Sequence, residues 1–306
     1  RDSAMPEGVE VAFLIHRGQL VFRHTGKSFT EDNIVHLIYH GSSKVEEVDP
    51  VGHFGTGFIS THLISKVVQV RGSLDDAQSF DFTLDRRGES PKELHTSMEN
   101  SWAAFKQSLQ PESITLADGF STEYIYEVGD GSIKEMVDAG LEELRRNAGF
   151  MLAFNEALRV LHLEFDGDRT VFQKIDAGDE GKHCTYTRVE ERDGEGNVVD
   201  VLEVATASDG EVTAAVPLKQ DTNGRILTLT GQIPRLYVAF PLLGTEEFTL
   251  PCVINSTQFV PTEDRDGIFL GSDESKDIAE NRKLIEKGLE QASVLLMSAE
   301  SEGWGD

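Results

Sequence analysis

The chain has 306 residues, 39% of them apolar, which is enough for a substantial core in one large or two smaller domains. Asp and Glu outnumber Lys and Arg by 54 to 28, so the net charge of −26 argues against broad nucleic-acid binding. No apolar run approaches the roughly 20 residues of a membrane span. Two distant cysteines, Cys184 and Cys252, lack a zinc-ligand spacing. We therefore expect a protein of the reducing cytoplasm that does not contact membranes.

The first half of the chain predicts alternating strands and helices. Two strands, VEVAFLI and GQLVFRH, form a hairpin around Arg17. Thr30 caps a helix that has Ile34, Leu37 and Ile38 on one face. A polar, glycine-rich segment and a further helix follow. The next predicted elements are the strands KVVQVRG and SFDFTLD, a helix that starts at SPKEL, and the strand STEYIYEV.

The second half predicts a different organisation. Apolar residues at helical spacing indicate a core-facing helix over residues 133–160, with Gly149 as a candidate position for a break. Strands and Gly/Asp turns follow, with DGEGN at a hairpin tip, and a last amphipathic helix spans residues 276–297. We predict an α+β protein with domains of residues 1–165 and 166–306.

The segment VGHFGTGF places Gly52, Gly55 and Gly57 immediately before an apolar helical pattern. One interpretation is a structural turn. The other is a loop whose backbone N–H groups approach an anion closely, which side chains would prevent. No GK[ST] follows, and no buried strand precedes the glycines, so neither a P-loop nor a Rossmann fingerprint is present.

This segment, together with LVFRHTGKSFTEDNIVHLIYHGSSK and FSTEYIYEV, resembles the nucleotide-binding motifs of GHKL (Bergerat-fold) ATPases. Among these it looks most like sacsin-type and ninety-kilodalton heat-shock chaperone-like bacterial ATP-binding proteins. The resemblance covers residues 1 to about 165 well and 234–270 in part. It implies an α/β sandwich with a mixed sheet covered by helices on one face, followed by a second α+β domain. It also implies ATP and Mg²⁺ as cofactors.

The resemblance implies that the glycine segment binds the triphosphate, with glycine N–H groups directed at phosphate and two phenylalanines anchoring the loop. The residues concerned are Gly52, Phe54, Gly55, Thr56, Gly57 and Phe58. Lys44 is similar to the lysine of the family's lid, which would close over the nucleotide between Ser42 and Val51. A solvated loop charge is the alternative for this lysine.

Three further residues match the family's base-binding positions. His24 stands where the family has an aspartate that accepts the adenine amino proton, and Gly26 follows at the family spacing. A neutral histidine can accept one hydrogen bond but brings no charge, so we expect weaker discrimination of ATP from GTP. Thr122 matches a threonine that helps to hold the adenine region, although a β-branched residue also suits any strand.

Two further candidate site residues lie near the two ends of the part of the chain that the resemblance covers. Asp2 matches the tail of a helix motif whose water-activating glutamate and magnesium-binding asparagine would precede Arg1, so we expect a fragment truncated at its N-terminus. Arg265, in TEDRDGI, is the candidate for a basic residue that reaches the γ-phosphate from the second domain. The alternative is a structural ion pair with Asp264 or Asp266.

Two main function classes follow from the resemblance. One is a chaperone-like or defence-system ATPase that hydrolyses ATP with magnesium and acts on a protein client, with Arg265 and Lys44 stabilising charge. The other is an ATP-gated binding module without turnover. A structural protein with an inactive pocket is a third class. A homodimer of the full-length protein fits the first two.

Overall fold

The computed structural model describes residues 8–39, 61–75, 77–113, 116, 119–129, 131–175, 181–222, 224–271 and 275–305. Within these ranges the elements are α-helices and strands in the mixture that the sequence predicts, so the α+β class is confirmed. No helix in the described ranges combines the length and apolarity of a membrane span. The chain divides into two compact units, one of Arg1–Glu143 with Leu161–Arg169 and one of Leu144–Val160 with Thr170–Asp306.

The described α-helices are α1, α2, α3 and α4, at Glu31–Tyr39, Pro91–Ser108, Ser132–Phe154 and Lys276–Glu302, and a short 3-10 helix spans Thr61–Leu63. The strands up to the middle of the chain are β1 to β7, at Val9–His16, Gln19–His24, Val67–Leu74, Gln78–Asp85, Thr122–Glu127, Leu158–Phe165 and Asp168–Ile175. The remaining strands are β8 to β14, at Thr185–Arg192, Val198–Ser208, Thr213–Asp221, Gly224–Leu227, Leu236–Val238, Phe240–Pro241 and Val253–Asn255.

The first unit contains a sheet with the strand order β6-β1-β2-β5-β3-β4. The pairs β1–β2, β2–β5, β5–β3 and β3–β4 are antiparallel. Arg17 and Gly18 form the predicted hairpin turn with φ of 52° and 79°, values that suit the twist of a two-residue connection. This topology places the end of β2 beside the start of β5.

One face of this sheet is aromatic and carries a helix. Phe80 and Phe82 of β4 alternate inward, and Phe105 of α2 meets both rings edge-on at 5.5 Å. Ser90 caps α2 in a reciprocal capping box with Glu93, as its position before Pro91 predicts. Aromatic pairs of this geometry add to the stability that apolar burial supplies.

The other face carries charged side chains that follow one row across four strands. Glu123 of β5 lies between Arg23 of β2 and Arg71 of β3, at 2.6 and 3.2 Å, and Arg71 also contacts Asp81 of β4 at 3.0 Å. The Glu123 side chain is 5% exposed, and its contacts with both arginines offset the cost of burying the carboxylate. The alternation of apolar and charged residues along these strands therefore gives the sheet two chemically different faces.

The second unit contains the strand order β7-β8-β9-β10-β14-β12-β13, with β11 also paired to β10. Strands β12 and β14 run parallel, so the sheet is mixed. Helix α4 packs against β9, β10 and β14, and Leu284 and Leu295 are buried in that core. Ser275 caps the start of α4. The helix ends at Glu302, five residues beyond the predicted Met297, where Gly303 adopts the left-handed conformation.

The candidate break at Gly149 does not occur. Helix α3 runs unbroken from Ser132 to Phe154 and ends earlier than predicted, since Leu158–Phe165 is the strand β6. A Cβ atom at Gly149 would lie 2.3 Å from Leu202 Cδ2, so the glycine permits close packing of the helix rather than a break. A glycine inside a helical pattern signals either of these, and only the packing distinguishes them.

Candidate functional site

His24 and Thr122 are paired directly across β2 and β5. Directly opposed residues in adjacent strands place their side chains on the same face of a sheet. This is the aromatic face, because Phe22 and Tyr124, the next pair along it, stack at 5.7 Å. Two residues that the sequence singled out from separate motifs therefore lie together at one end of the first unit's sheet.

The His24 ring is half-buried beside two aromatic rings. Its centroid lies 5.8 Å from that of Phe22 and 6.4 Å from that of Tyr124. Burial among these groups lowers the pKa of His24 to about 4, because desolvation disfavours the charged imidazolium. His24 is therefore neutral at physiological pH.

The backbone N–H of Gly26 is hydrogen-bonded to one nitrogen of this ring. The Gly26 N–H donates to His24 Nδ1 at 3.1 Å. A Cβ at position 26 would lie 3.1 Å from the same nitrogen, so a larger residue would crowd the contact. Predicted site residues His24 and Gly26 are thus linked directly, and no described residue bonds to His24 Nε2.

Thr122 is completely buried, and its hydroxyl has no hydrogen-bond partner among the described residues. A buried hydroxyl without a partner is costly, so it requires an explanation such as a ligand. Its strand neighbour on the other side is Gly72 of β3, where Phe29 and Phe80 fill the space that a side chain would occupy. The unpartnered hydroxyl therefore lies between a histidine and a dense aromatic cluster.

Ser121 is a site-shaping residue that the sequence analysis missed. Its hydroxyl lies within hydrogen-bond distance of the carbonyl oxygens of His24 and Gly26, at 3.2 and 3.0 Å. Its N–H also donates to the His24 carbonyl at 3.2 Å. The residue precedes Thr122 in FSTEYIYEV, but its role depends on strand register, which no local pattern reveals. It fixes the backbone of the His24–Gly26 turn against β5.

Thr25 fixes this turn from the opposite side. The Thr25 N–H donates to the Glu10 carbonyl at 3.0 Å, and Thr25 Oγ1 accepts from the Glu10 N–H at 2.9 Å. The turn that carries His24 is therefore held by β1 and β5 together. Such backbone support preorganises a binding side chain.

Arg265 lies in the second unit, in an exposed turn. It has φ of 57°, a left-handed conformation that is uncommon for a residue other than glycine. Thr262 accepts from the Arg265 N–H at 3.0 Å and donates its hydroxyl to Asp266 at 2.6 Å. No described carboxylate lies within salt-bridge distance of the Arg265 guanidinium, so the ion pairs with Asp264 or Asp266 do not form among described residues.

The other predicted site residues lie outside the described residues. They are Asp2, Lys44, Gly52, Phe54, Gly55, Thr56, Gly57 and Phe58. Their roles in holding a triphosphate stay predictions from the sequence. Within the ranges that the structure describes, no group of three or more His, Cys, Asp or Glu side chains could hold a metal ion.

No family model matches the chain, and no curated protein matches it. Among solved structures, the chain is similar to the crystal structure of the B-subunit of the DNA gyrase from Myxococcus xanthus. The two are 10% identical, the match covers 94% of this chain and 87% of that one, and the TM-score is 0.48. A likeness at this level says nothing about the activity of the chain, so any function must be argued from the chain's own residues.

Proposed function

We propose that the first unit binds a purine nucleoside triphosphate, which the motif resemblance identifies as ATP. The observation that carries the proposal is the pairing of His24 with Thr122, whose buried hydroxyl has no partner among the described residues. A base seated at this end of the sheet would supply that partner. The neighbouring aromatic rings of Phe22 and Tyr124 provide the apolar surroundings typical of base-binding sites.

The glycine segment is the proposed phosphate site. Gly52, Gly55 and Gly57 would present backbone N–H groups to the phosphates. These groups would attract an anion that the net negative charge of the protein otherwise repels. Mg²⁺ belongs to this proposal as the ion bound with the triphosphate, because it neutralises phosphate charge.

We extend the proposal to ATP hydrolysis coupled to closure of the Lys44 segment, in a sacsin-type or chaperone-like protein that acts on a protein client. Lys44 and Arg265 are the proposed cations for the charge that develops on the γ-phosphate. The exposed guanidinium of Arg265, free of any carboxylate in the described ranges, is available for such a role. A gated binding module would use the same base and phosphate sites without turnover.

Replacement of Gly55 and Gly57 by valine tests the phosphate site. We expect calorimetry to detect ATP binding with Mg²⁺ in the wild type and not in the double variant, because side chains would block the backbone N–H groups. Gly140→Val is the control, since a Cβ at that exposed helical position meets nothing within 4 Å. Unchanged ATP affinity in a double variant that unfolds cooperatively would show that the segment is only a turn.

Phosphate release during the same titration separates the two function classes. Steady release of phosphate by the wild type supports an ATPase. Binding without release supports the gated module, in which the nucleotide orders a partner surface.

A further inference from the structure

We propose that His24 reads the base as a hydrogen-bond donor, so that the site accepts an oxo group at purine position 6 at least as readily as the amino group of ATP. This inference rests on the proposed function, because it names the base preference of the same nucleotide site. It inverts the polarity that an acceptor at this position would give. The triphosphate site is unaffected by it.

The polarity follows from the contact between Gly26 and His24. A backbone N–H can only donate, so Nδ1, which receives the Gly26 N–H at 3.1 Å, must be the unprotonated nitrogen of the ring. A neutral imidazole with an unprotonated Nδ1 carries its proton on Nε2. The ring is held neutral by its burial, and the nitrogen left for a ligand is therefore an N–H donor.

The surroundings leave this donor for a ligand. Among the described residues nothing accepts a hydrogen bond from Nε2, and the neighbouring rings of Phe22 and Tyr124 offer apolar contact. Ser121 and Thr25 hold the backbone of the turn that carries His24, and the Gly26 N–H bond to Nδ1 orients the ring. An orientation fixed in this way makes the donor selective rather than adaptable.

The two kinds of purine differ in what they offer to such a donor. A 6-oxopurine presents O6 and N7 as adjacent acceptors, whereas adenine presents an amino donor beside N7. An N–H aimed at position 6 is therefore matched by an oxo group and opposed by an amino group. The Thr122 hydroxyl can donate or accept, so it suits either base and leaves the discrimination to His24.

Two variants of nearly the same shape test the polarity of the hydrogen bond to the base separately from side-chain size. In His24→Asn the side-chain oxygen can accept from the Gly26 N–H, which leaves an amide donor for the ligand. In His24→Asp the same local bond can form, but the outward atom becomes an acceptor. The two side chains have nearly the same shape, so they differ mainly in the sign of the hydrogen bond offered to the base.

The experiment measures the affinities of ATP and inosine triphosphate for the wild type and both variants by calorimetry. We expect the wild type and His24→Asn to bind inosine triphosphate at least as tightly as ATP. We expect His24→Asp to favour ATP, with the affinity ratio shifted tenfold or more. His16→Asp, on the exposed hairpin turn, is the control for an added carboxylate and should leave the wild-type ratio unchanged.

The outcomes separate this inference from the proposed function. If neither triphosphate binds to the wild type, the proposed function fails. If both bind and the wild type prefers ATP, or if His24→Asp leaves the ratio unchanged, the proposed function stands and the donor role of His24 is overturned.

A spectroscopic readout covers the case in which the variants do not fold. Nitrogen chemical shifts of the His24 ring in the wild type, recorded near pH 7 without nucleotide, identify which nitrogen carries the proton. We expect the protonated nitrogen to be Nε2. A proton on Nδ1 would contradict the inference directly.

Discussion

His24 and Thr122 face each other across β2 and β5, although their motifs lie far apart in the sequence. The pairing joins a neutral imidazole that Gly26 already engages with a buried hydroxyl that lacks a partner among the described residues. It brings a fixed donor and an adaptable group to one point of the sheet. These two side chains determine the nucleotide affinity and the stability that we expect of the proposed base site.

Thr122→Val should affect stability and binding in opposite directions. Because the hydroxyl has no described partner, its replacement by a methyl group should leave the free energy of unfolding unchanged or raise it by up to about 1 kcal/mol. Nucleotide affinity should fall roughly fivefold to tenfold, since one hydrogen bond to the base is lost. Denaturant titration and calorimetry measure the two effects.

Thr83→Val is the matched control, because this exposed threonine lies on a strand of the same sheet. It should leave nucleotide affinity unchanged. A Thr122→Val variant that is less stable and binds nucleotide normally would mean that the hydroxyl is part of the fold and not of a site.

His24 should make the protein less stable in acid. Its pKa is about 4 in the folded protein and 6.5 ordinarily, so the unfolded chain takes up the proton first as the pH falls. The neutral ring carries no penalty above pH 6.5, and the penalty grows as the pH falls towards 4. Each pKa unit corresponds to about 1.4 kcal/mol, and for this half-buried ring we expect roughly 2 kcal/mol in total.

Unfolding of the wild type and of His24→Asn between pH 7 and pH 4 measures this penalty, since asparagine does not titrate. The stability difference between them should change in favour of the variant as the pH falls. Tyr124, the titratable neighbour of the ring, stays protonated because burial raises its pKa, so it does not confound the comparison. A pH-independent difference would contradict the prediction.

Glu123→Gln should destabilise the first unit. The nearly buried carboxylate contacts both Arg23 and Arg71, and its removal leaves two guanidinium groups without their shared partner. Loss of one member of a fully buried pair costs about 3–5 kcal/mol, and because both arginines are partly exposed we expect roughly 2–4 kcal/mol here. Thermal or denaturant unfolding measures the loss. Glu127→Gln, at the exposed end of the same strand, should cost less than about 0.5 kcal/mol.

Arg265 should act on hydrolysis rather than on nucleotide binding. An interaction made only in the transition state lowers kcat when removed and leaves ground-state affinity nearly unchanged. We expect Arg265→Ala to lower turnover on the order of tenfold or more, with ATP affinity within a few-fold. Arg265→Lys should rescue poorly, because an ammonium lacks the planar fork of the guanidinium.

Arg265→Gly separates this role from a structural one. Glycine suits the φ of 57° at this position, so the variant should be as stable as the wild type or more so. It should nevertheless lose turnover as Arg265→Ala does. Reduced thermal stability with normal turnover in both variants would identify Arg265 as a structural residue of its turn.

Local patterns predicted most of the secondary structure of the described residues. Alternating residues predicted the strands of the first unit, and side chains that cap helices, such as Ser90 and Thr30, predicted where helices start. These signals succeed because each depends on contacts within a few residues. The helix end near Phe154 and the role of Gly149 were not predictable, because both depend on packing against residues remote in sequence, such as Leu202.

The sequence by itself determined which residue types stand in the candidate base site, since His24, Gly26 and Thr122 were all named from their motifs. Only the tertiary structure decided what they can do. The register between β2 and β5 places the histidine opposite the threonine, and the Gly26 N–H selects the protonated nitrogen of the ring. The sequence specifies each residue, whereas the polarity of its hydrogen bonds depends on which partners the fold brings within about 3 Å.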